Sequence, residues 1–168
     1  TFGGNSIACA IGIASINTII DEKLTENALE QGNYLIHKLK KIQKKYKLIT
    51  AIRGKGLLIG VELQLPGGLL NFITGGKLQE IAKEYTGALF AALLMDKYQI
   101  ITAYTLNNPN VIRLEPPLTI TKEKIDKLLT GIEEICAQKK SFAKLLISMS
   151  KNLLNMKKKK KPDHSKYG

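Results

Sequence analysis

The chain has 168 residues, 44% of them hydrophobic, which is enough for one domain with a sizeable core. Its formal net charge is +12, yet ten lysines and a single acid, Asp163, lie in residues 139–168, so the rest of the chain is nearly balanced. The basicity therefore belongs to the tail and says little about what the folded part binds, and we expect no nucleic-acid partner. No apolar run reaches the roughly 18 residues that span a bilayer, and no signal peptide opens the chain, so we expect a cytoplasmic protein without a membrane partner.

Two helices of different kinds are predicted in the first third of the chain. Residues 6–20 are almost free of charge, and a helix that is apolar nearly all round must be buried on every side. We expect the chain alone to lack the surface that would cover it. Residues 21–46 instead place Leu24, Leu35 and Leu39 on one face and lysines on the other, which predicts an amphipathic helix lying on a core.

Two strand pairs separated by a helix are predicted next. Residues 48–52 and 57–65 are β-type runs, and the sequence R-G-K-G at residues 53–56 between them predicts a tight turn. The apolar residues of segment 77–98 recur at helical spacing. The remaining runs are a strand at 99–105, a turn at 106–109 and a strand at 111–114.

The order of helices and strand pairs predicts an α/β fold of the two-layer α+β kind, with a short, mostly antiparallel sheet covered by helices on one side. Beyond residue 140 an apolar stripe precedes five lysines at residues 157–161. We interpret this extension as a helix that docks on the body or remains free. A membrane-surface helix is disfavoured because the stripe is short and has no Trp. Within the body, before this extension, a last helix is predicted to begin near Thr121. It carries Ile125, Leu128, Leu129, Ile132 and Ile135 at helical spacing.

No metal, disulfide or nucleotide site is predicted from the residues. Cys9 and Cys136 lie far apart in apolar helical contexts, and we predict that both are buried free thiols, which fits a reducing compartment. His37 and His164 have no partner at metal spacing, and both are predicted to be solvated. The glycine-rich segment 54–60 is one residue too long for the dinucleotide fingerprint and opens a strand instead of a helix.

The first residues of the chain form a candidate anion site. The sequence T-F-G-G-N at residues 1–5 leads directly into the apolar helix. A hydroxyl and glycine backbone amides therefore lie ahead of a helix N-terminus, where the helix dipole favours negative charge. A helix cap explains the same residues equally well.

Three segments, in order, resemble the class III pyridoxal-phosphate aminotransferases, which include ornithine, acetylornithine and putrescine aminotransferases. Residues 1–5 resemble the S-T-F-G-G-N element of this family. The sequence I-R-G-K-G-L-L-I-G-V-E-L at residues 52–63 resembles I-R-G-x-G-L-x-x-G-x-E-L, and V-I-R-L-E-P-P-L-T-I-T at residues 111–121 resembles V-I-R-x-x-P-P-L-x-I-T. The resemblance covers residues 1–140 and leaves the tail outside it.

The resemblance implies a fold-type I enzyme, with a large cofactor domain, a small C-terminal domain, and a homodimer whose two subunits share each active site. Residues 1–20 would then end the large domain and form the connecting helix. Residues 21–140 would be the small domain, and residues 141–168 a basic extension. A chain that starts at Thr1 instead of Met is expected to be part of a longer protein.

Candidate site residues follow from the same resemblance. Thr1 occupies the place of the threonine that hydrogen-bonds the phosphate of pyridoxal 5'-phosphate bound to the neighbouring subunit, and Arg113 matches the arginine that binds a substrate carboxylate. Arg53 is interpreted as a structural residue beside a turn. The Schiff-base lysine and the aspartate that pairs with the pyridinium nitrogen lie upstream in the family. No catalytic residue is therefore assigned, and the chain alone is expected to be inactive.

The parent enzyme is expected to transfer an amino group from a diamine or ω-amino compound to 2-oxoglutarate. Residues 104–108 and Glu115 resemble putrescine aminotransferases, so putrescine is the first expectation and ornithine or acetylornithine the nearest alternative. An alternative of another class is a non-catalytic α/β module whose basic tail binds anionic membrane or nucleic acid. The lysines at 157–161 favour it, but no aromatic residues are interleaved with them to stack on bases.

Overall fold

The computed structural model of the chain describes residues 3–64 and 77–138 together with residue 145, and the side chains of residues 77–84 are not part of that description. Thr1 and the basic extension other than residue 145 therefore lie outside the described residues. In chain order the elements are α1 (Ser6–Asp21), α2 (Leu24–Lys45), β1 (Ile49–Lys55), β2 (Leu58–Leu63), α3 (Lys77–Tyr98), β3 (Ala103–Tyr104), β4 (Val111–Leu114) and α4 (Lys122–Ala137).

The four strands form one antiparallel sheet in the order β1-β2-β4-β3. The helices α2 and α3 contact the sheet, and α4 packs against both of these helices. α4 buries all five of the apolar residues that its sequence pattern places on one face. This arrangement confirms the predicted α/β fold with a short antiparallel sheet.

The sheet has one buried face and one open face. Along β2 the buried residues Ile59, Val61 and Leu63 alternate with more exposed neighbours, because successive side chains of a strand point to opposite faces. Buried side chains of α2, α3 and α4 join them in one core cluster, so the helices cover the sheet on one side, as predicted. The opposite side, called the open face below, carries Ala51, Arg53, Lys55, Leu58, Gly60, Glu62, Ala103, Arg113 and Val111, and of these Val111 is buried.

α1 is apolar nearly all round, and none of its residues is buried in this chain. Ile7 and Ile20 keep 72% and 66% of their surface exposed, which confirms the expectation that the chain alone cannot cover this helix. The prediction of a buried Cys9 is wrong for the same reason, since this thiol is exposed, whereas Cys136 is buried as predicted. None of the helices in the described residues combines the length and apolarity needed to cross a membrane.

The hairpin of β1 and β2 has a shorter turn than predicted. Arg53 and Gly54 lie within β1, and the turn consists of Gly56 and Leu57 alone. The predicted four-residue turn is wrong because the ladder between the two strands continues to the last residue of β1. Gly56 has a φ of 56°, a left-handed conformation that glycine adopts without strain.

The hairpin turn packs directly on α2. Gly32 of α2 lies against Gly56, and a Cβ atom added at Gly32 would overlap the carbonyl group of Gly56. Backbone therefore meets backbone at this contact, which a side chain would prevent. The contact fixes the position of the hairpin on the helix layer.

β3 is much shorter than the predicted strand at 99–105. Gln99 has a φ of 56°, and the amide of Ile100 donates to the carbonyl oxygen of Leu94 at 3.1 Å, so the residues that cap α3 occupy the start of the predicted strand. Only Ala103 and Tyr104 pair with β4. The prediction for the strand is therefore wrong in length, while α3 and β4 begin and end at the predicted residues.

Candidate functional site

Arg113 lies on β4, on the open face of the sheet. Its backbone pairs with Gly60 of β2 on one side and with Ala103 of β3 on the other. The carbonyl oxygen of Arg113 accepts a hydrogen bond from Thr102 Oγ1 at 2.5 Å. The side chain is half exposed, and its Nη2 donates to Glu115 Oε2 at 2.8 Å. The sheet therefore holds the backbone of this arginine in place, while the guanidinium remains accessible.

Arg53 does not lie beside a turn, as the sequence indicated, but in the ladder of β1. It pairs with Gly60, so Arg53, Gly60, Arg113 and Ala103 form one row across all four strands. These four residues are called the arginine row below. Directly opposite residues of neighbouring strands project from the same face, so both arginines lie on the open face. Arg53 Nη1 donates to Glu62 Oε2 at 2.8 Å.

Gly60 lies between the two arginines of the row and contributes no side chain. A Cβ atom added at Gly60 would lie 3.8 Å from Arg53 Cγ and 3.3 Å from Val111 Cγ1. Strand spacing places the Cα atoms of Arg53 and Arg113 about 10 Å apart. A guanidinium presents a planar fork of donors that matches a carboxylate. The row therefore places two guanidinium groups on the open face, with the Val111 side chain beside Gly60.

A cleft of about 510 Å³ opens beside Arg113 at the β3 edge of the sheet. Its lining combines the α4 lysines Lys124 and Lys127 with apolar side chains, of which Ile101 is 87% exposed. Neither lysine has an ion-pair partner among the described residues. The lining also includes Glu115, so two lysines and the Arg113–Glu115 pair leave this edge with a net positive charge, which favours anionic ligands.

The N-terminus of α1 is a second place where the chain fits an anion. Gly4 has a φ of 78°, and Asn5 caps the helix by accepting a hydrogen bond from the Ala8 amide at 3.0 Å. The cap uses only one of the first-turn amides that an α-helix leaves without an internal partner. Together with the helix dipole, the remaining amides fit a phosphate group. Thr1, the predicted cofactor-binding residue, lies just outside the described residues.

Other polar groups with perturbed properties have structural roles. Burial raises the pKa of the Cys136 thiol to about 12, which keeps it protonated and unreactive. The phenol of Tyr98 donates to Glu134 Oε2 at 2.6 Å and joins α3 to α4. His37 is exposed, as predicted. Within residues 3–64 and 77–138, no group of His, Cys, Asp and Glu side chains could hold a metal ion.

Sequence reasoning missed the pairing of each arginine with a carboxylate. Glu62 lies two residues beyond Gly60, and Glu115 lies two residues beyond Arg113. Residues two apart in a strand share a face, so the spacing contained the signal. The spacing did not reveal the Arg53–Glu62 pair, because the sequence predicted a turn at Arg53 and the structure has a strand there.

Comparison with known proteins gives consistent matches. Residues 1–136 match the family described as Aminotransferase class-III. An ornithine aminotransferase of Geobacillus sp. is 39% identical over 137 residues, which are 82% of this chain and 28% of that protein. A putrescine aminotransferase of Pectobacterium atrosepticum is 35% identical over 136 residues, which are 80% of this chain and 25% of that protein. The crystal structure of acetylornithine aminotransferase from Elizabethkingia anophelis matches with a TM-score of 0.67 and 31% identity, over 82% of this chain and 31% of that one.

Proposed function

Because the chain belongs to the class III aminotransferase family, we propose that it is the C-terminal part of an enzyme that transfers the terminal amino group of a diamine or ω-amino compound to 2-oxoglutarate. The chain spans only 28% of the length of the ornithine aminotransferase that it matches. The proposed enzyme is therefore a longer protein. It uses pyridoxal 5'-phosphate and forms a homodimer in which two subunits share each active site.

The observation that carries this proposal is the position of Arg113. The residue lies at the centre of the sheet's open face, with its backbone held on both sides and its guanidinium half exposed. An arginine held in this way can aim two parallel hydrogen bonds at a carboxylate. We therefore assign Arg113 to the carboxylate of 2-oxoglutarate and of the glutamate formed from it.

Putrescine is the amino donor that we propose first. The relatives named above are ornithine, acetylornithine and putrescine aminotransferases. Ornithine, acetylornithine and putrescine each carry a free terminal amino group. Glu115 places a carboxylate 2.8 Å from Arg113 on the accessible side of the sheet. This negative charge suits the second ammonium of a diamine.

The chain's own residues bind and orient in this proposal. The α1 N-terminus and the Thr1 hydroxyl hold the cofactor phosphate, and Arg113 orients the keto acid. When bound, pyridoxal phosphate supplies the electron sink for the deprotonated substrate. No lysine of this chain is assigned to the cofactor's aldehyde group. We therefore propose that the chain alone, mixed with cofactor and amino donor, gives no turnover.

Separate measurement of the two half-reactions in the longer enzyme tests the function. Arg113→Ala should weaken recognition of 2-oxoglutarate by about 2 to 5 kcal/mol, the range for removing one partner of a charged pair that is buried once the keto acid is bound in the longer enzyme. Arg113→Lys should keep the charge but lose the planar fork. The half-reaction with putrescine, which has no carboxylate, should lose much less. Equal losses in both half-reactions, or none in either, would show that Arg113 does not bind the carboxylate.

A comparison of donors decides between the alternatives. Putrescine, ornithine and acetylornithine are supplied in turn to the longer enzyme with 2-oxoglutarate, and glutamate is measured. The highest kcat/KM for putrescine supports the proposed donor, and the highest value for ornithine or acetylornithine replaces it with the nearest alternative. If no amine yields glutamate, the proposed function is wrong.

A further inference from the structure

We propose that Asn27 is a positioning residue for the cleft beside Arg113, because its side-chain amide holds the loop that forms one wall of that cleft. This loop, residues 116–120, is called the cleft wall below. The inference rests on the proposed function, in which the keto acid binds at Arg113. It adds a residue that acts on the keto acid through the backbone of the cleft wall and not by direct contact.

The cleft wall joins the strand that carries Arg113 to the helix that carries the lysines of the cleft. It begins directly after Glu115 and ends before Thr121, the residue that caps α4. Pro116 and Ile120 line the cleft of about 510 Å³. The conformation of this short loop therefore sets the shape of the cleft on the side between β4 and α4.

Asn27, near the start of α2, donates two hydrogen bonds to the cleft wall. Its Nδ2 atom lies 2.6 Å from the carbonyl oxygen of Leu118 and 3.3 Å from that of Ile120. Within the wall, the Ile120 amide donates to the Pro117 carbonyl oxygen at 3.0 Å. The two prolines of the wall have no N–H to donate, so the loop presents mainly acceptors. A side-chain amide, which carries two hydrogens on one nitrogen, suits such a loop.

A groove of about 490 Å³ lies on the other side of the cleft wall, and Asn27 and Gln31 line it. Ile120 lines both the groove and the cleft, and its side chain also packs against the core. Leu118 and Thr119 are exposed. The wall therefore has space on both sides, and the two bonds from Asn27 limit how far it can move.

Loss of these bonds should weaken binding in the cleft. When only a fraction of the molecules holds the binding-competent conformation, the apparent affinity for a ligand falls by that fraction. The net contribution of one intramolecular hydrogen bond corresponds to a change of about two- to tenfold in such a population. The groups that touch the substrate stay the same, so the effect should fall on KM and not on kcat.

The test uses Asn27→Asp in the longer enzyme, with Gln31→Glu as the matched control. Both replacements change an amide to a carboxylate of the same size. Gln31 lines the same groove one turn further along α2, but the described residues give it no hydrogen bond to the cleft wall. Asn27→Ala removes the donor without adding charge.

Steady-state constants are measured with 2-oxoglutarate as the varied substrate. Binding of glutarate, a dicarboxylate without the keto group, is measured by titration calorimetry and needs no turnover. Both Asn27 variants should raise the KM for 2-oxoglutarate by about two- to tenfold, weaken glutarate binding by a similar factor, and leave kcat near the wild-type value. Gln31→Glu should keep the wild-type constants.

Three results would overturn the inference. The first is a wild-type KM and glutarate affinity in both Asn27 variants. The second is an equal rise of KM in Gln31→Glu, which would mean that any change in the groove has this effect. The third is a lower kcat at unchanged KM, the result of a purely structural role that reduces the amount of folded enzyme.

Failure of the proposed function is recognised separately. An enzyme that forms glutamate, but whose Asn27 variants keep the wild-type KM, retains the function and loses only this inference. If the unsubstituted enzyme forms no glutamate from any donor, the proposed function is wrong and this inference falls with it.

Discussion

The backbone of Arg113 is fixed, whereas its side chain can exchange one ion-pair partner for another. Two strands and the Thr102 hydroxyl hold the backbone, whereas the guanidinium is 50% exposed and pairs with Glu115. Exposed ion pairs of this kind contribute only about 0 to 1 kcal/mol. Exchange of Glu115 for a substrate carboxylate therefore costs little, while the start of the side chain stays in place.

Glu115→Gln should shift donor and acceptor recognition in opposite directions in the proposed enzyme. Without the competing carboxylate, Arg113 is free for 2-oxoglutarate, so the KM for the keto acid should fall. The second ammonium of putrescine loses its anionic partner, so the KM for the diamine should rise. Each change should be roughly 0.5 to 1 kcal/mol because the pair is exposed.

Steady-state kinetics with each substrate varied in turn measures both constants. Glu123→Gln is the control, since it removes an acid from the first turn of α4, outside the arginine row. A rise of both KM values in Glu115→Gln would contradict the prediction, because it would mean that Glu115 only supports the position of Arg113.

The sequence predicted Arg113 as a site residue but misplaced Arg53. Arg113 is preceded by a turn and followed by two prolines, so its strand is bounded by local signals. Arg53 lies between an apolar run and two glycines that each suggest a turn. Only Gly56 has a left-handed φ, whereas Gly54 is needed in the strand because a Cβ atom there would overlap the Leu58 carbonyl group. That requirement comes from the partner strand, which local sequence does not contain.

At the scale of elements, Gly32→Ala should destabilise the contact between α2 and the hairpin turn. Alanine in an open helix position is about 0.5 to 1 kcal/mol better than glycine. At Gly32 the added methyl would overlap the Gly56 carbonyl group, and overpacking costs about 1 to 3 kcal/mol. We therefore expect a lower free energy of unfolding, by about 1 to 2 kcal/mol after both effects.

Urea unfolding followed by circular dichroism measures this change. Gly12→Ala in α1 is the matched control, because a Cβ atom at Gly12 meets nothing within 4 Å. This control should be as stable as the unsubstituted chain or more stable. If Gly32→Ala behaves like Gly12→Ala, the close approach of helix and turn is not present in solution.

The hydrogen bond from Tyr98 of α3 to Glu134 of α4 should make stability depend on pH in the alkaline range. It raises the pKa of Tyr98 from 10.0 to about 12. The folded chain thus holds this proton more tightly than the unfolded chain, so the stabilisation is complete below pH 10 and is lost as the pH rises toward 12. Tyr98→Phe should remove this part of the decline.

Urea unfolding at about pH 9 and about pH 11 separates the effect from other titrations. The decline in unfolding free energy between the two pH values should be smaller for Tyr98→Phe than for the unsubstituted chain. Tyr104→Phe, which changes an exposed tyrosine on β3, should show the full decline. Identical declines in all three proteins would exclude a contribution from the bond to Glu134.

Helices could be predicted from this sequence better than strands. α2 and α4 bury apolar residues at helical spacing, and that periodicity is local and readable. β3 was predicted too long because its residues have β-type composition, yet pairing with β4 and the left-handed Gln99 limit it to two residues. Strand length depends on the partner strand and on how the preceding helix ends, so composition overestimates it.

At the scale of the whole molecule, one continuous core contrasts with two uncovered surfaces. The core joins the sheet to three helices, but α1 lies beside α2 without burying any residue. The open face of the sheet is the second such surface. Both surfaces lie within the 136 residues that match the aminotransferase family. We therefore propose that the remainder of the longer enzyme covers them.

The exposed isoleucines of α1 should make the isolated 168-residue chain self-associate. Burial of apolar surface contributes about 25 cal/mol per Å² to the free energy of association. Ile13 and Ile20 lie two turns apart on one side of the helix and are 62% and 66% exposed. Replacing both with Glu should keep the chain monomeric in sedimentation velocity at concentrations where the unsubstituted chain associates. Ile101→Glu is the control, since Ile101 is 87% exposed but lies outside α1. Association that is equal in the double variant and in this control would show that α1 is not the surface responsible.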